Sequence, residues 1–337
     1  MNNHKDRQKV RNDSINLMKQ FFTSGTADNY KFEFRKCPVC KSNMNSQLLK
    51  NESGFDFVKC RDCEMVYMNP ILGQKIIENF YLNSKDSTAK HQLWEKSIQK
   101  LKPSTHPQLS IRYNRLLKYS NRGKLLDFGC GFGKLTDQLK FYFDEIEGIE
   151  IDPFCAKKAQ QIFQFKVYDE FIENLQFDNK YDVIFNYNNI EHLINPFHTL
   201  KYLHKALKPN GIIYIECPNI KSVSSRLFKG RHHLLQSNEH LNMFSKSTMV
   251  KILKKSGFKI IEVGTRKLDI NINDLIMWIF KNKLFYHRCS DKCFDTLIYQ
   301  KFCSFADTLL NNIYTGLKLE RLKISQGSYI QIVAEKV

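Results

Sequence analysis

One short stretch, KLLDFGCGFGKL at residues 124–135, constrains the fold of this chain more than any other feature. An apolar run of strand length ends at Phe128, and Gly129, Gly131 and Gly133 follow at alternate positions. Because glycine carries no Cβ, a turn of this kind lets a ligand approach the backbone closely. A strand that leads through such a turn into a helix predicts an α/β ligand-binding unit.

Strand and helix patterns alternate after this turn. Asp152-Pro153 and Asn195-Pro196 each supply an N-cap followed by proline, and Ser245 caps a helix that ends near Gly257. This alternation predicts a parallel sheet covered by helices on both faces. The predicted strands are 124–128, 146–150, 165–167, 181–186, 211–216, 259–263 and 329–334.

The glycine spacing narrows the choice of ligand. It is G-x-G-x-G, so it matches neither the dinucleotide fingerprint nor a P-loop. Glu150 ends the second predicted strand, where an acid can accept both hydroxyls of a ribose. Asp127 precedes the turn, and its carboxylate would repel a pyrophosphate but suit an ammonium group. The residues therefore predict a nucleoside whose tail carries an ammonium.

Four successive motifs resemble those of class I S-adenosylmethionine-dependent methyltransferases. They are LLDFGCGFGKL, IEGIEIDP, YDVIFNYNNIEHLINP and LKPNGIIYIECPN, and EHLNMFSKSTMVKILKKSGFKI extends the likeness to Ile260. SYIQIVAEK resembles the family's last, antiparallel strand. The resemblance implies a Rossmann-like sheet of seven strands with S-adenosylmethionine as cofactor.

The same resemblance implies roles for individual residues. Glu150 would hold the ribose, Ile151 would lie against the adenine, and Asp169 would reach the adenine amino group, with Glu170 as an alternative. Asp127 would orient the glycine turn and face the ammonium. The full implied cofactor set is Asp127, Gly129, Cys130, Gly131, Gly133, Glu150, Ile151, Asp169, Asn186 and Asn188.

Methyl transfer from a sulfonium is an in-line displacement, so the enzyme mainly positions the acceptor. A hydroxyl acceptor also needs a base, and histidine suits that role at neutral pH. His192 directly follows the fourth strand, so we expect it to be the base and His240 to contact the substrate. Glu191 would orient His192, or hold a divalent ion with it as similar quinone-type methyltransferases suggest. The alternative is that His192 only packs its loop.

Four of the ten cysteines form two C-x2-C pairs. Cys37 and Cys40 are separated from Cys60 and Cys63 by residues 41–59, which fits the spacing of a structural zinc site. A disulfide role is disfavoured in a cytoplasmic chain. A ribbon of this kind before a methyltransferase fold is similar to a bacterial subgroup whose members often tailor surface glycans.

The sequence suggests six segments. They are a polar start (1–30), the zinc ribbon (31–70), a helical lead-in (71–122), the cofactor-binding core (123–266), a helical insertion (267–327) and a last strand (328–337). The insertion is basic and amphipathic, so it would pack on the core or a dimer partner, or act as a lid or lie on lipid. We expect a cytoplasmic protein, since there is no apolar signal segment and no run long enough to span a membrane.

The net charge of +18 fits either a nucleic-acid surface or a solvated, lysine-rich one. Three functions follow. The first is methylation of a glycan or other small molecule. The second is methylation of RNA, although NYNN replaces the tetrapeptide that base-amine enzymes use. The third is a binding module without activity, against which the complete glycine turn argues.

Overall fold

The computed structural model describes residues 32–51, 54–73, 99, 101–106, 111–228, 239–266 and 327–337. Turns of 3-10 helix lie at Ile172–Asn174 and Ile190–His192. The helices are α1 (Ile111–Tyr119), α2 (Lys134–Leu139), α3 (Pro153–Phe163), α4 (Pro196–Ala206), α5 (Val223–Phe228) and α6 (Lys246–Lys255). The strands are β1 (Phe32–Glu33), β2 (Asn45–Lys50), β3 (Asp56–Cys60), β4 (Val66–Met68), β5 (Ile71–Leu72), β6 (Lys124–Phe128), β7 (Glu145–Ile149), β8 (Lys166–Tyr168), β9 (Tyr181–Tyr187), β10 (Leu207–Pro218), β11 (Asn242–Met243), β12 (Phe258–Arg266) and β13 (Tyr329–Lys336).

The largest sheet in the described residues has seven strands in the order β12-β13-β10-β9-β6-β7-β8. Strands β6 to β10 run parallel, and β13 pairs antiparallel with both β10 and β12. Every predicted strand is present, with ends that differ by up to four residues. The predicted α/β methyltransferase-type fold is therefore confirmed, including its antiparallel last strand.

Successive strand residues point to opposite faces of the sheet, and each face carries its own helices. Leu125 packs in a cluster with Tyr113 and Leu116 of α1 and with residues of α2. Leu126 packs in a second cluster with residues of α4 and α6. Helices therefore cover both faces, as the near-continuous apolar runs of the parallel strands predict.

The predicted helix caps are confirmed. The Asp152 side chain accepts hydrogen bonds from the first turn of α3, and Asn195 does the same for α4. Ser245 forms a capping box with Thr248 at the start of α6. These caps satisfy backbone donors that a helix leaves unpaired, which fixes where each helix begins.

The ribbon is a second sheet in the order β11-β4-β3-β2, beside the pair β1-β5. The pair β1-β5 ends at Leu72. One strand, β11, comes from the core: Asn242 pairs with Tyr67, and Met243 with Val66. The sequence does not predict this strand, because two residues are too short to show a period. The ribbon is thus joined to the core by main-chain hydrogen bonds.

Three predicted segments fall wholly or largely outside the described residues. They are the polar start, the first part of the helical lead-in and the insertion. The end of the lead-in is observed as α1. Among the described helices, none is long and apolar enough to cross a membrane.

Candidate active site

The glycine turn follows β6 at the carboxyl edge of the parallel strands, and its three glycines differ in what surrounds them. All have positive φ. A Cβ on Gly129 would lie 2.4 Å from the Asn189 side chain, and one on Gly133 would lie 2.7 Å from the Phe165 ring. A Cβ on Gly131 would meet no described atom within 4 Å. Packing therefore accounts for two of the glycines, and Gly131 is the one that borders open space.

Glu150 fixes this turn from the end of β7. Its Oε2 accepts from the Gly131 N–H at 2.8 Å, and its Oε1 accepts from the Asp152 N–H at 2.9 Å. A carboxylate offers about four acceptor positions, enough for these bonds and for the hydroxyls of a ribose. Asp152 itself is occupied as the cap of α3.

Asp127 lies beneath the turn and is 2% exposed. Burial raises the pKa of its carboxyl to about 7, and the nearby Glu150 carboxylate adds to the rise. The Thr136 hydroxyl donates to its Oδ2 at 2.5 Å and opposes the shift. A cation placed here would favour the ionised form, because an opposite charge lowers the pKa of an acid.

Two asparagines with buried side-chain oxygens lie at the end of β9. Asn186 is 1% exposed, and its amide donates to the Phe128 carbonyl at 3.4 Å. Among the described residues, neither Asn186 Oδ1 nor Asn188 Oδ1 has a hydrogen-bond partner. An unsatisfied buried acceptor is unfavourable by about 1–3 kcal/mol, so a ligand that donates hydrogen bonds fits here. These oxygens, the space at Gly131 and the Asp127 carboxyl fit the ammonium-bearing tail of S-adenosylmethionine.

The Cys130 thiol points away from this space. It packs with Ala156, Ala159 and Val167 in a small apolar cluster, and burial raises its pKa well above the usual value. Of Cys130, only the backbone is therefore placed to face a ligand.

The residues expected near the adenine lie at the ends of β7 and β8. Ile151 is partly buried directly after Glu150, and Asp169 is exposed directly after β8. Glu170, the alternative to Asp169, uses its carboxylate locally, where Oε1 accepts from the Phe171 N–H at 2.7 Å. Asp169 thus remains the predicted contact to the adenine amino group.

His192 lies beside the glycine turn. The Asn189 amide donates to the Phe128 carbonyl at 3.1 Å, and the Asn189 carbonyl accepts from the His192 N–H at 3.0 Å. The His240 ring lies edge-to-face on that of His192, with ring centroids 4.9 Å apart. The structure therefore brings together the two histidines that the sequence selects.

The tautomer of His192 follows from one contact. Its Nδ1 lies 2.9 Å from the main-chain carbonyl oxygen of Glu239. A carbonyl can only accept, so Nδ1 carries the proton and the lone pair of the neutral ring is on Nε2. This is the arrangement that a base or a metal ligand requires.

Glu191 is buried behind the histidines and is 1% exposed. Burial raises the pKa of its carboxyl to about 8, with a further contribution from Glu216. Neither of its carboxyl oxygens has a hydrogen-bond partner among the described residues. Its Oε1 is 4.0 Å from His192 Nε2, beyond hydrogen-bond distance, so the Glu239 carbonyl orients the ring in this structure. The ligand atoms of Glu191, His192 and His240 lie within 4.8 Å of one another.

Comparison with known proteins agrees with this geometry. Residues 104–263, which contain the glycine turn, Glu150 and both histidines, match the family described as "Methyltransferase domain". This region is a class I S-adenosylmethionine-dependent methyltransferase domain. The sequence-based assignment of this domain is thus confirmed.

Two relatives and one solved structure show how far the likeness reaches. Over 167 residues the chain is 30% identical to the ubiquinone biosynthesis O-methyltransferase of Pelagibacter ubique, covering 45% of this chain and 66% of the relative. Over 147 residues it is 27% identical to an uncharacterized methyltransferase of Schizosaccharomyces pombe, covering 38% and 52%. A S-adenosylmethionine-dependent methyltransferase from Archaeoglobus fulgidus is 20% identical with a TM-score of 0.46, covering 73% of this chain and 99% of that one. The chain thus spans 52% to 66% of the length of the two relatives.

The cysteine quartet lies where the ribbon packs on the methyltransferase domain. Sγ atoms of Cys37 and Cys63 are 3.5 Å apart, and those of Cys40 and Cys60 are 3.4 Å apart. All four lie within 4.8 Å of one another. In a tetrahedral site with Zn–S near 2.3 Å the sulfurs would be roughly 3.8 Å apart. The four thiols therefore fit a closed, four-sulfur metal site.

Sequence reasoning misses two contacts in the methyltransferase domain. Thr136 binds Asp127, and Asn242 donates from Nδ2 to the Leu193 carbonyl at 2.6 Å. A hydroxyl-bearing residue three positions after Gly133 was a signal for Thr136. Asn242 had none, since its importance depends on two loops meeting in space.

Proposed function

We propose that this chain transfers the methyl group of S-adenosylmethionine to a hydroxyl oxygen of a sugar, a glycan or another small molecule. The observation that carries the proposal is the His192 imidazole. Its Nδ1 is held by the Glu239 carbonyl, and the segment that carries it is held beside the glycine turn by the bond from Asn189 to the Phe128 carbonyl. The relative from Pelagibacter ubique is named as an O-methyltransferase, which supports oxygen as the receiving atom.

In this proposal the residues at the end of β6, β7 and β9 hold the cofactor. When bound, S-adenosylmethionine supplies an electrophilic methyl group. Glu150 accepts from its ribose hydroxyls, while Asp127 and the Asn186 and Asn188 side-chain oxygens face its ammonium. Placing the reacting atoms in line accounts for most of the acceleration that such a site provides.

His192 takes the proton of the acceptor hydroxyl on Nε2. The positive charge that forms on the ring is delocalised onto Nδ1–H, which is already bonded to the Glu239 carbonyl. His240, whose ring lies against that of His192, contacts the acceptor from the segment that precedes β11. A hydroxyl oxygen that loses its proton as the new bond forms is the better nucleophile, which is the purpose of a base here.

A divalent cation is the alternative partner of the same residues. The unpartnered carboxyl oxygens of buried Glu191, together with the two histidines, are a suitable ligand set. In that case His192 would hold the ion rather than accept the proton, and the ion would supply the positive charge that lowers the pKa of the acceptor hydroxyl. Titration of Mn²⁺ into zinc-loaded wild-type protein and His192→Ala separates the two roles. Mn²⁺ affinity should fall in the variant only if His192 is a metal ligand.

The cysteine quartet holds a structural zinc ion in this proposal. Four sulfurs leave no open coordination position, so the ion performs no chemistry. It fixes the ribbon on the methyltransferase domain.

The test compares one substitution that should lower turnover alone with one that should lower cofactor affinity. His192→Ala should leave S-adenosylmethionine affinity unchanged and lower turnover by roughly 10²–10⁴-fold, the usual contribution of a positioned base. Glu150→Ala should weaken cofactor affinity by about 10- to 100-fold, since hydrogen bonds to a charged group contribute about 1.5–3 kcal/mol. His198→Ala, at an exposed histidine on α4, is the control.

Acceptors are identified by transfer of a radiolabelled methyl group to a panel of nucleotide-activated sugars, phenolic compounds and total RNA. Labelled sugar or phenol supports the proposal. Labelling of RNA alone would instead identify an RNA methyltransferase, and binding of S-adenosylmethionine without labelling of any class would favour a binding module. Turnover of His192→Ala within a few-fold of the wild type would refute the base.

A further inference from the structure

Arg35, in the ribbon, joins three segments that lie far apart in the sequence. It donates from Nε to the Met68 carbonyl at 3.1 Å, from Nη1 to the Ile194 carbonyl at 3.1 Å and from Nη2 to the Leu241 carbonyl at 2.5 Å. Its guanidinium carbon lies 5.4 Å from the centre of the Tyr67 ring. Among the described residues, these groups are the partners of the guanidinium.

Two of the three carbonyls belong to the segments that carry the histidines. Ile194 lies two residues after His192, and Leu241 directly follows His240. The third carbonyl ends β4, the ribbon strand on which β11 pairs. The Arg35 guanidinium therefore connects the ribbon to the segment that carries His192 and to the segment that carries His240.

A guanidinium is suited to this task and an ammonium is not. Arginine presents its donors in a fixed planar fork, whereas lysine presents a single point charge on a flexible stem. Burial lowers the pKa of Arg35 to about 10, so it remains charged at neutral pH. Charge makes its hydrogen bonds to the carbonyls stronger than those of a neutral donor.

Loss of Arg35 would not by itself separate the two segments. Asn242 still donates to the Leu193 carbonyl, and β11 still pairs with β4. We therefore expect the loops to remain folded but to hold the histidines less accurately. A displacement of about 1 Å at a reacting group can lower turnover roughly 100-fold.

We infer that Arg35 is a positioning residue, which fixes His192 against His240 from the ribbon. Because His192 is the base in the proposed function, this role rests on that proposal. It gives the ribbon a part in building the acceptor side of the site.

The experiment uses full-length, zinc-loaded protein and compares Arg35→Lys and Arg35→Gln with Arg61→Lys, the same exchange at an exposed position of the ribbon. The ¹⁵N chemical shifts of the His192 ring, assigned by comparison with His192→Ala, report which nitrogen carries the proton and require no acceptor. We expect the Nδ1–H form in the wild type and Arg61→Lys, and a mixture of tautomers in both Arg35 variants.

On the acceptor found by the panel, we expect the Arg35 variants to turn over about 10- to 100-fold more slowly, with cofactor affinity within twofold of the wild type. An unchanged tautomer in folded Arg35→Lys would overturn the role. Loss of the fold in both variants would also overturn it, since Arg35 would then be purely structural. A third outcome is a tautomer shift in Arg35→Lys together with full turnover in His192→Ala. It would support Arg35 as the residue that positions His192, and it would refute His192 as the base.

Discussion

The proposed cofactor side and the proposed acceptor side of this site are built in different ways. On the cofactor side, Asp127, the glycine turn and Glu150 belong to two neighbouring strands and the loops that follow them. On the acceptor side, His192 and His240 come from separate segments, and Arg35 reaches both from the ribbon.

This difference separates a part of the site that is built locally from a part that depends on the tertiary structure. Asp127, the glycine turn and Glu150 come from one continuous stretch, so the geometry of this part depends on local turns and on two parallel strands. The acceptor side depends on how three distant segments meet. Changes in the ribbon or in the segment before β11 can therefore reshape the acceptor side while Glu150 and Gly131 keep their contact.

The largest expected effect concerns the metal of the ribbon. Cys37→Ser should abolish the one zinc ion per chain that we expect by elemental analysis, and should lower the Tm by more than about 10 °C. Structural zinc contributes about 10–16 kcal/mol of apparent binding free energy in small zinc domains, which exceeds any single contact here. Because β11 pairs with β4 of the ribbon, unfolding of the ribbon should also separate His240 from His192.

Cys155→Ala, at a buried thiol of α3 outside the quartet, is the matched control and should keep its metal. Freshly purified wild-type protein without zinc would contradict the prediction. Loss of S-adenosylmethionine binding as complete as the loss of zinc would show that the two sides of the site are not independent.

A smaller effect is expected on the cofactor side, at Asp127. The pKa of this buried carboxyl is about 7 in the folded protein, against about 3.9 when unfolded. Between these values the folded state holds a proton that the unfolded state has lost, so stability falls as pH rises from about 4 to 7. Asp127→Asn keeps an acceptor for Thr136 and should raise the free energy of unfolding at pH 8 by about 1–4 kcal/mol.

Urea unfolding without cofactor, at pH 4.5 and pH 8, measures this difference. We expect little effect at the lower pH and weaker S-adenosylmethionine binding in the variant at pH 8. Asp144→Asn, at an exposed aspartate paired with Arg122, is the control. A gain in stability that is equal at both pH values would refute the buried, protonated carboxyl.

The same contrast explains what the sequence could predict. The strands, the caps at Asp152 and Asn195 and the ribbon cysteines were all evident, because each leaves a local pattern of spacing or residue type. The sequence also selected His192 and His240. It did not predict that the Glu239 carbonyl orients His192, because that role belongs to a main-chain group. Arg35 was missed because the three carbonyls it binds are neighbours only in the folded chain.

The smallest expected effect concerns the exposed link between the ribbon and the core. Lys221 Nζ lies 3.0 Å from Glu64 Oε2, and hydrogen bonds from Lys59 and Lys221 lower the pKa of Glu64 to about 2. Both side chains are about half exposed, so the pair contributes below about 1 kcal/mol and is screened by salt. Lys221→Ala should therefore change the Tm by less than about 3 °C, with no change at high salt and none in turnover. A loss of Tm as large as that of Cys37→Ser, measured by thermal unfolding of both variants in parallel, would mean that surface charge rather than the cysteine quartet holds the ribbon in place.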